Sequence, residues 1–419
     1  MKKILISTAL LAGIFTYAGG FRVSLQGVRQ LAQAHTSAHA EDASVAFFNP
    51  AGISFIPAKL SIAAGGFGAK STVTYQNPST LESTETISPT GTPIYAAIAY
   101  KVHKDVSLGF SFATPFGSTI EYPADWSGKE IVQKLELKSF YFQPMVSVKL
   151  APWASFGASY IYAKGEVDWT KAVTQLDGTI NILDDQASGH GAGLGFYFQP
   201  DAKWDLSVAY RSPVNMKAEN GKATVTLPNA SAATQQILFT TLGLDANGQD
   251  NFTATLPLVE EFTLGATYKV TTKWSVSADF NYHGWEKYDK LTLDFENANL
   301  GNQANDATIL TNPKNFKNAK TFRIGTQYLF NDMIAGRLGW YYDESPYDDK
   351  NFIPETPSFD SHVVTAGLGF KVGAGFGVDL AGAMAFPQAR TFNNKSISFS
   401  GQAKAKAYYF GLGLSYNPF

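Results

Sequence analysis

The 419-residue chain contains no cysteine. That excludes a disulfide framework and also the lipid-bearing cysteine of a lipoprotein anchor. Charge is scarce: 16% of residues are charged, 33 basic against 35 acidic. The balance offers no basic surface for a nucleic acid. The 6 histidines, at positions 35, 39, 103, 190, 283 and 362, are scattered. Only His35 and His39 sit four apart, and without a third ligand they read as polar residues rather than a metal site. No G-x-S-x-G and no H-E-x-x-H occurs, so the chain shows none of the common hydrolase motifs and calls for no cofactor. Beyond the first 18 residues no apolar run approaches the length of a membrane-spanning helix, which excludes a helical membrane protein.

What is present begins with MKKILISTALLAGIFTYAGG. Lys2 and Lys3 form a positive start, Ile4 to Phe15 an apolar stretch, and Thr16 and Ala18 small residues before Gly19. This reads as a secretory signal peptide over residues 1–18. Without Lys2 and Lys3, 31 basic residues face 35 acidic ones, a net charge of about −4. Aromatics make up 14% and glycines number 37. With a leader and little charge, that fits a secreted all-β protein or an outer-membrane barrel.

Period-2 alternation covers most of the remaining chain. In KWDLSVAYRS, Trp204, Leu206, Val208 and Tyr210 share one face, and Asp205, Ser207, Ala209 and Arg211 the other. In KWSVSADFNYH, Trp274, Val276, Ala278, Phe280 and Tyr282 alternate with Ser275, Ser277, Asp279, Asn281 and His283. Both patterns predict strands, and their length suits a tilted crossing of a bilayer better than a sandwich. Aromatics gather at strand ends, as at Trp153, Trp204, Trp274 and Trp340-Tyr341-Tyr342, where interfacial girdles would sit.

Short turns near His103–Lys104, Ala151–Pro152, Pro200–Lys203, Thr271–Lys273, Asn331–Asp332 and Gly373–Gly375 alternate with long polar connections. The latter fall near Asn77–Thr90, Ala124–Gln133, Lys171–Gln186, Ala218–Thr253, Thr292–Asn318, Pro346–Ser361 and Asn393–Gln402. Six turns and seven loops join about fourteen strands, the even number expected of a transmembrane antiparallel β-barrel with short periplasmic turns. The last strand, AYYFGLGLSYNPF, ends in an aromatic, as the signal for the barrel assembly machinery does. Here Pro418 puts Phe419 out of phase with Tyr416.

Residues 19–57 precede the first strand. They carry Gln26, Gln30, Gln33, His35, Thr36, Ser37 and His39, and end in SVAFFNPAGIS. Non-strand backbone is not tolerated facing lipid but is tolerated inside a barrel. Phe47 and Phe48 beside the stiff Asn49-Pro50-Ala51-Gly52 turn argue for a luminal plug, with short helical turns around Val28–Ala34, over a disordered tail. The expected domains are therefore a leader (1–18), a plug or hatch (19–57) and a barrel (58–419).

Four segments in order resemble the FadL-type family of long-chain fatty-acid and hydrocarbon transporters. They are HAEDAS…NPAG, FSFATPFGSTIEYPADWSG (Phe110–Gly128), LPLVEEFTLGATYKVTTKWSVSADFNYHGWEKYD (Leu256–Asp289) and RLGWYYDESPYDD (Arg337–Asp349). The resemblance implies a fourteen-stranded barrel with a hatch, in agreement with the loop count. It implies outer-membrane uptake of long-chain fatty acids, or of aromatic hydrocarbons by the same route, and a monomer. Expected partners are a hydrophobic small molecule, outer-membrane lipid and lipopolysaccharide, and the assembly machinery. A plugged general porin, a structural barrel and an outer-membrane enzyme such as a lipase are the competing readings.

By the same resemblance Thr114-Pro115-Phe116-Gly117 is a kink that opens the barrel sideways. Pro cannot donate to a ladder and Gly weakens one. Asn49–Gly52 is expected to pack near it. In the longest loop Ile237, Leu238, Phe239, Leu242 and Leu244 are too apolar for solvent and are candidate ligand contacts, with Ile182 and Leu183 as a facing wall. Lys317 or Lys320 stands where the family carries a residue for the ligand carboxylate. Arg323 and Arg337 are candidates to pair with lumen acids such as Asp279 or Asp343.

Overall fold

A computed structural model of the chain describes residues 19–418. The expected leader and Phe419 lie outside the described residues. The alternating segments form fourteen antiparallel strands, closed into a barrel. In order they are β1 (Leu60–Gln76), β2 (Ile94–His103), β3 (Val106–Ala113, resuming at Gly117–Glu121), β4 (Lys134–Ala151), β5 (Ala154–Val173), β6 (Gly178–Phe198) and β7 (Trp204–Arg211 and Val214–Thr226). They continue with β8 (Gln249–Leu258 and Glu261–Lys269), β9 (Trp274–His283 and Lys290–Phe295), β10 (Ile309–Pro313 and Ala319–Leu329), β11 (Ile334–Asp343), β12 (Ser361–Gly373), β13 (Phe376–Pro387 and Arg390–Asn394) and β14 (Phe399–Tyr416). β14 returns to β1, with Ile62 opposite Tyr416 and Gln76 opposite Gln402, so neither is left as an edge.

The alternation is inverted relative to a soluble sandwich. Trp204 and Tyr210 are exposed while Asp205, Ser207 and Ala209 are buried; Trp274 is exposed while Ser277, Asp279 and Asn281 are buried. Apolar side chains face outward because lipid is the solvent there, and the lumen takes the polar face. Leu108, Leu194, Leu264, Leu338 and Leu412 form part of the exposed apolar band. Trp153, Trp204, Trp274, Phe330 and Phe376 rim it at the short-turn end; Tyr160, Tyr210, Trp340 and Phe386 rim it at the other. Tyr341 departs from the girdle: it is buried in the lumen beneath the Arg323 guanidinium, 4.5 Å away.

The six short turns lie where the sequence places them. The expected Lys171–Gln186 loop is instead mostly strand, since β5 and β6 stay paired up to Val173 opposite Gly178. Above the bilayer a strand has no need of an apolar outer face. Polar residues there satisfy one another, as Asn181 does by donating to Asp168 (2.7 Å) and Thr170 (2.9 Å). The longest loop folds as helix α2 (Ala232–Leu242), with the Ser231 hydroxyl accepting from Thr234 N–H and Gly243 ending it at φ 74°. No helix of the described residues is long and apolar enough to cross a membrane.

Residues 19–57 fill the lumen. Helix α1 (Val28–Gln33) packs on the inner wall of β11 to β14, and two 3₁₀ turns, Ala43–Phe47 and Pro50–Ser54, pack on β2 to β6. Val28, Leu31, Val45, Ile53 and Ile56 are buried.

Candidate ligand chamber and wall opening

The wall opens between β2 and β3. Tyr95 is paired with Ala113 below the gap, and above it Ile87 N–H donates to Glu121 C=O, 2.8 Å. The two pairings share one offset, yet each rim bulges by one residue between them: against β1, Gly91 faces Ala69 but Glu85 faces Thr74, and against β4, Val106 faces Val148 but Gly117 faces Lys138. In between, residues 88–93 face 115–120 and, among the described residues, share no ladder bonds. Each rim carries a proline, Pro89 on one side and Pro115 on the other, and proline has no N–H to zip the seam, while Gly91 and Pro93 turn their backbone groups to β1, bonding Ala69 and Phe67. The sequence reading noticed only Pro115; the signal that completes it is SPTGTP, whose partner rim is set by strand register. From Val106 at the periplasmic end of β3 to Thr114 is eight residues, about 20 Å of height at about 3.3 Å per residue and about 40° tilt. The window thus lies toward the outer leaflet.

The freed backbone of β3 turns inward and pairs with the hatch. Val23 N–H donates to Pro115 C=O (2.8 Å) and Gly117 N–H to Phe21 C=O (2.9 Å). The Gln26 amide donates to Thr114 C=O (3.2 Å), and the Ser139 hydroxyl donates to Phe116 C=O while accepting from Phe116 N–H. Hatch residues Phe21–Val23 therefore take the place that β2 vacates, which answers where the backbone hydrogen bonds of the kink go.

Asn49–Gly52 lies elsewhere. The Asn49 side chain accepts from Ala51 N–H (2.9 Å) and donates to Phe196 C=O (3.0 Å); Ser147 and Ser155 donate to Ala51 C=O. The turn is thus bolted to β4, β5 and β6, where Gly157 and Gly195 leave room for it. Gly52 has no positive φ; its missing Cβ makes room for Val45. The segment that reaches the kink is the preceding Phe47-Phe48 pair, edge to face at 5.2 Å, which lines a small gap with Pro115 and Phe116. The Arg211 guanidinium covers Phe47 at 4.0 Å.

Ion pairs clamp the hatch to the wall. Arg22 reaches Glu261 (3.4 Å) and Asp343 (3.6 Å); Arg29 reaches Glu41 (2.7 Å), Asp42 (3.2 Å) and Asp379 (3.3 Å). The acids considered as partners for strand arginines are thus taken by hatch residues: Arg22 at Asp343 and His35 at Asp279. Arg337 pairs with Asp379, and Arg323 donates to Asn281 at 2.9 Å. His35 and His39 lie beyond α1 with rings 6.2 Å apart, each beside its own carboxylate, and no metal cluster occurs among the described residues.

His35 gives the clamp a pH dependence. Burial disfavours its charge, but Asp279 at 2.9 Å and the hydrogen bonds around it outweigh burial and raise its pKa. A raised pKa means that this anchor is complete below the ordinary histidine value of about 6.5 and is lost as pH rises through the raised value. Ion leak across a planar bilayer is expected to grow above neutral pH, and His35→Gln protein is expected to show no such rise. A flat wild-type profile would mean that His35 holds nothing.

Above the kink lies an apolar chamber. Leu135, Val167, Trp169, Ile182, Met216 and Phe252 line it from the strands, together with Phe21 of the hatch. Phe116 borders the chamber, the window and the gap beside Phe47 alike; Leu137, Lys138, Ser139 and Glu166 are shared by chamber and window. Of the residues anticipated in the longest loop, Phe239 and Leu244 are buried in the cap of packed loops, Leu238 and Leu242 are half-buried against it and Ile237 is exposed. None of these five lines the chamber. Ile182 does, whereas its neighbour Leu183 faces outward, as strand alternation requires.

Lys317 and Lys320 are exposed, outside the chamber. The chamber lysines are Lys138 and Lys314, and Lys314 is 3% exposed and paired with Glu355. The sequence reading missed Lys314 because β10 is interrupted between Pro313 and Ala319 and its side-chain alternation is lost there.

Comparison with known proteins agrees with this architecture. The sequence profile of the outer membrane protein transport proteins (OMPP1/FadL/TodX) matches residues 9–418. A putative outer membrane protein of Neisseria meningitidis serogroup B is 26% identical over 91% of this chain and 88% of its own. The long-chain fatty acid transport protein of Escherichia coli O6:H1 is 21% identical over 75% of this chain and 74% of its own. A Pseudomonas aeruginosa FadL homologue superposes with a TM-score of 0.81 at 17% identity, over 96% of this chain and 100% of that one. The Pseudomonas putida toluene transporter TodX gives 0.70 at 14% identity, over 96% and 99%.

Proposed function

The chain belongs to the outer membrane protein transport family of OMPP1, FadL and TodX, and from that premise we propose that it takes up long-chain fatty acids by a path through chamber and window. The family consists of transport channels, and the barrel resides in the outer membrane of a Gram-negative bacterium. In the path proposed, the ligand enters among the external loops, rests in the apolar chamber, passes Phe116 and leaves sideways between β2 and β3.

One observation carries the reading: chamber and window share a wall, through Phe116, Leu137, Lys138 and Ser139. An apolar chain gains about 25 cal/mol per Å2 on leaving water, so a relay of apolar pockets ending in lipid lowers its energy throughout. A polar solute gains nothing from such a relay. Lys138 and Lys314 offer cations for a carboxylate ligand, although Glu166, Asp184 and Glu355 line the same chamber. The aromatic lining, Trp169, Phe252 and Tyr288, supports aromatic hydrocarbons as a second class by the same route.

The test is uptake of radiolabelled oleate and toluene by cells whose own transporters for them are deleted. Expression of this chain is expected to restore entry of one or both and leave entry of small polar solutes unchanged. A chain that admits polar solutes and neither hydrophobic probe is a porin.

A further inference from the structure

The external loop between β11 and β12 does not stand out in water. Tyr347, Phe352, Ile353 and Phe359 are all buried, so the loop dips into the barrel and closes the chamber from above. Side chains of the wall hold it there: Tyr122 donates to Pro354 C=O at 3.2 Å and Asn394 to Phe352 C=O at 3.1 Å. Its inner tip brings Glu355, 7% exposed, onto Lys314. Glu355 and Thr356 are the loop's contribution to the chamber lining.

A carboxylate carried on a loop into an apolar chamber is costly unless paired. Lys314 pairs it, but the same pairing occupies the cation that a fatty-acid headgroup would need. A ligand carboxylate that joined the pair would set a second anion against Glu355 in a water-poor site, which like-charge repulsion disfavours even with the Lys171 ammonium near both members of the pair. It is therefore expected to replace Glu355. Lys138 is a poorer substitute, because it is half exposed and already bound to Glu136 (2.9 Å) and Glu166 (3.3 Å).

We propose that Glu355 is a resident competitor at Lys314, which a long-chain carboxylate displaces and a neutral hydrocarbon does not. Displacement unpins the loop tip, so a carboxylate ligand both docks and loosens the segment above it. Hydrocarbons occupy the chamber with the pair intact and the loop in place. The inference rests on the uptake reading above and adds a specificity-determining residue to it.

The experiment measures binding of radiolabelled oleate and of methyl oleate to the purified full-length barrel in detergent. If the resident pair is intact in about nine-tenths of molecules, Glu355→Gln is expected to tighten oleate about tenfold and leave methyl oleate unchanged. The double variant Lys314→Met/Glu355→Gln, which removes both charges, is expected to bind oleate no more tightly than the ester. A nitroxide at exposed Lys350→Cys is expected to gain mobility with oleate and not with methyl oleate. A merely structural pair would shift both ligands equally or neither, and either result overturns the proposal. Wild-type protein that binds neither ligand overturns the uptake reading itself.

Discussion

Zipping the β2–β3 window shut is expected to reduce uptake of labelled oleate at least about tenfold, since an open seam is the one lateral exit the proposed path uses. The seam stays open although the pairings at its two ends share one offset, Tyr95 with Ala113 and Ile87 with Glu121. What keeps the rims apart is the absence of donors at Pro89 and Pro115, and the commitment of Gly91 and Pro93 to β1. It is reinforced by the hatch, whose Phe21 and Val23 take the backbone groups of residues 115 and 117.

The double variant Pro89→Thr/Pro115→Thr restores the missing N–H groups and favours the continuous ladder. A second route is Gly91→Cys with Gly117→Cys, positions that oppose each other at the shared offset. Opposed residues of a closed ladder lie about 4.5–5.5 Å apart, within the reach of a disulfide. Uptake is expected to fall on oxidation and return on reduction, with the oxidised fraction read from a gel shift. Uptake that persists in both the zipped variant and the oxidised pair would place the exit elsewhere.

The second large effect concerns the plug. A Cβ on Gly325 would collide with the Gln33 backbone carbonyl, and one on Gly157 with the backbone of Pro50 and Ala51. Backbone cannot swing aside as a side-chain tip can, so the hatch must lift from the wall. Overpacking of this kind costs about 1–3 kcal/mol per site, and two sites on separate segments of the hatch compound it. Wild-type protein is expected to conduct almost no ions in a planar bilayer, whereas Gly157→Val/Gly325→Val is expected to show large, steady, porin-like conductance. The barrel wall itself keeps its ladders, so heat-resistant migration on a gel is expected to be unchanged. Porin-like current through the wild type would instead mean that residues 19–57 do not seal the lumen.

These expectations show how unevenly the molecule was written into its sequence. Alternation in Trp204–Arg211 or Trp274–His283 was legible because it repeats every two residues and needs no distant partner. The turn at Asn331–Asp332 was legible for the same reason: the Asn331 side chain satisfies the N–H groups of Met333 and Ile334 two and three residues on. Fourteen strands, an outward apolar face and a plug before the first strand were therefore settled by local pattern together with the solvent on each side.

Tertiary structure alone decided which residues meet across the barrel. The kink at Thr114–Gly117 was visible, but that Pro89 lies on its other rim depends on strand register. That Phe21–Val23 backs it depends on a contact across some ninety residues of chain, such as Gln26 to Thr114. The loop leucines read as ligand contacts because apolar residues in a loop suggest exposure; in the fold Leu244 is buried among the loops and Leu238 and Leu242 pack against them, beside rather than in the chamber lining. Lys314 and Glu355 are separated by 41 residues and carry no periodic mark. Their pairing follows from closing the barrel and folding one loop inward, where a charge survives only beside its opposite.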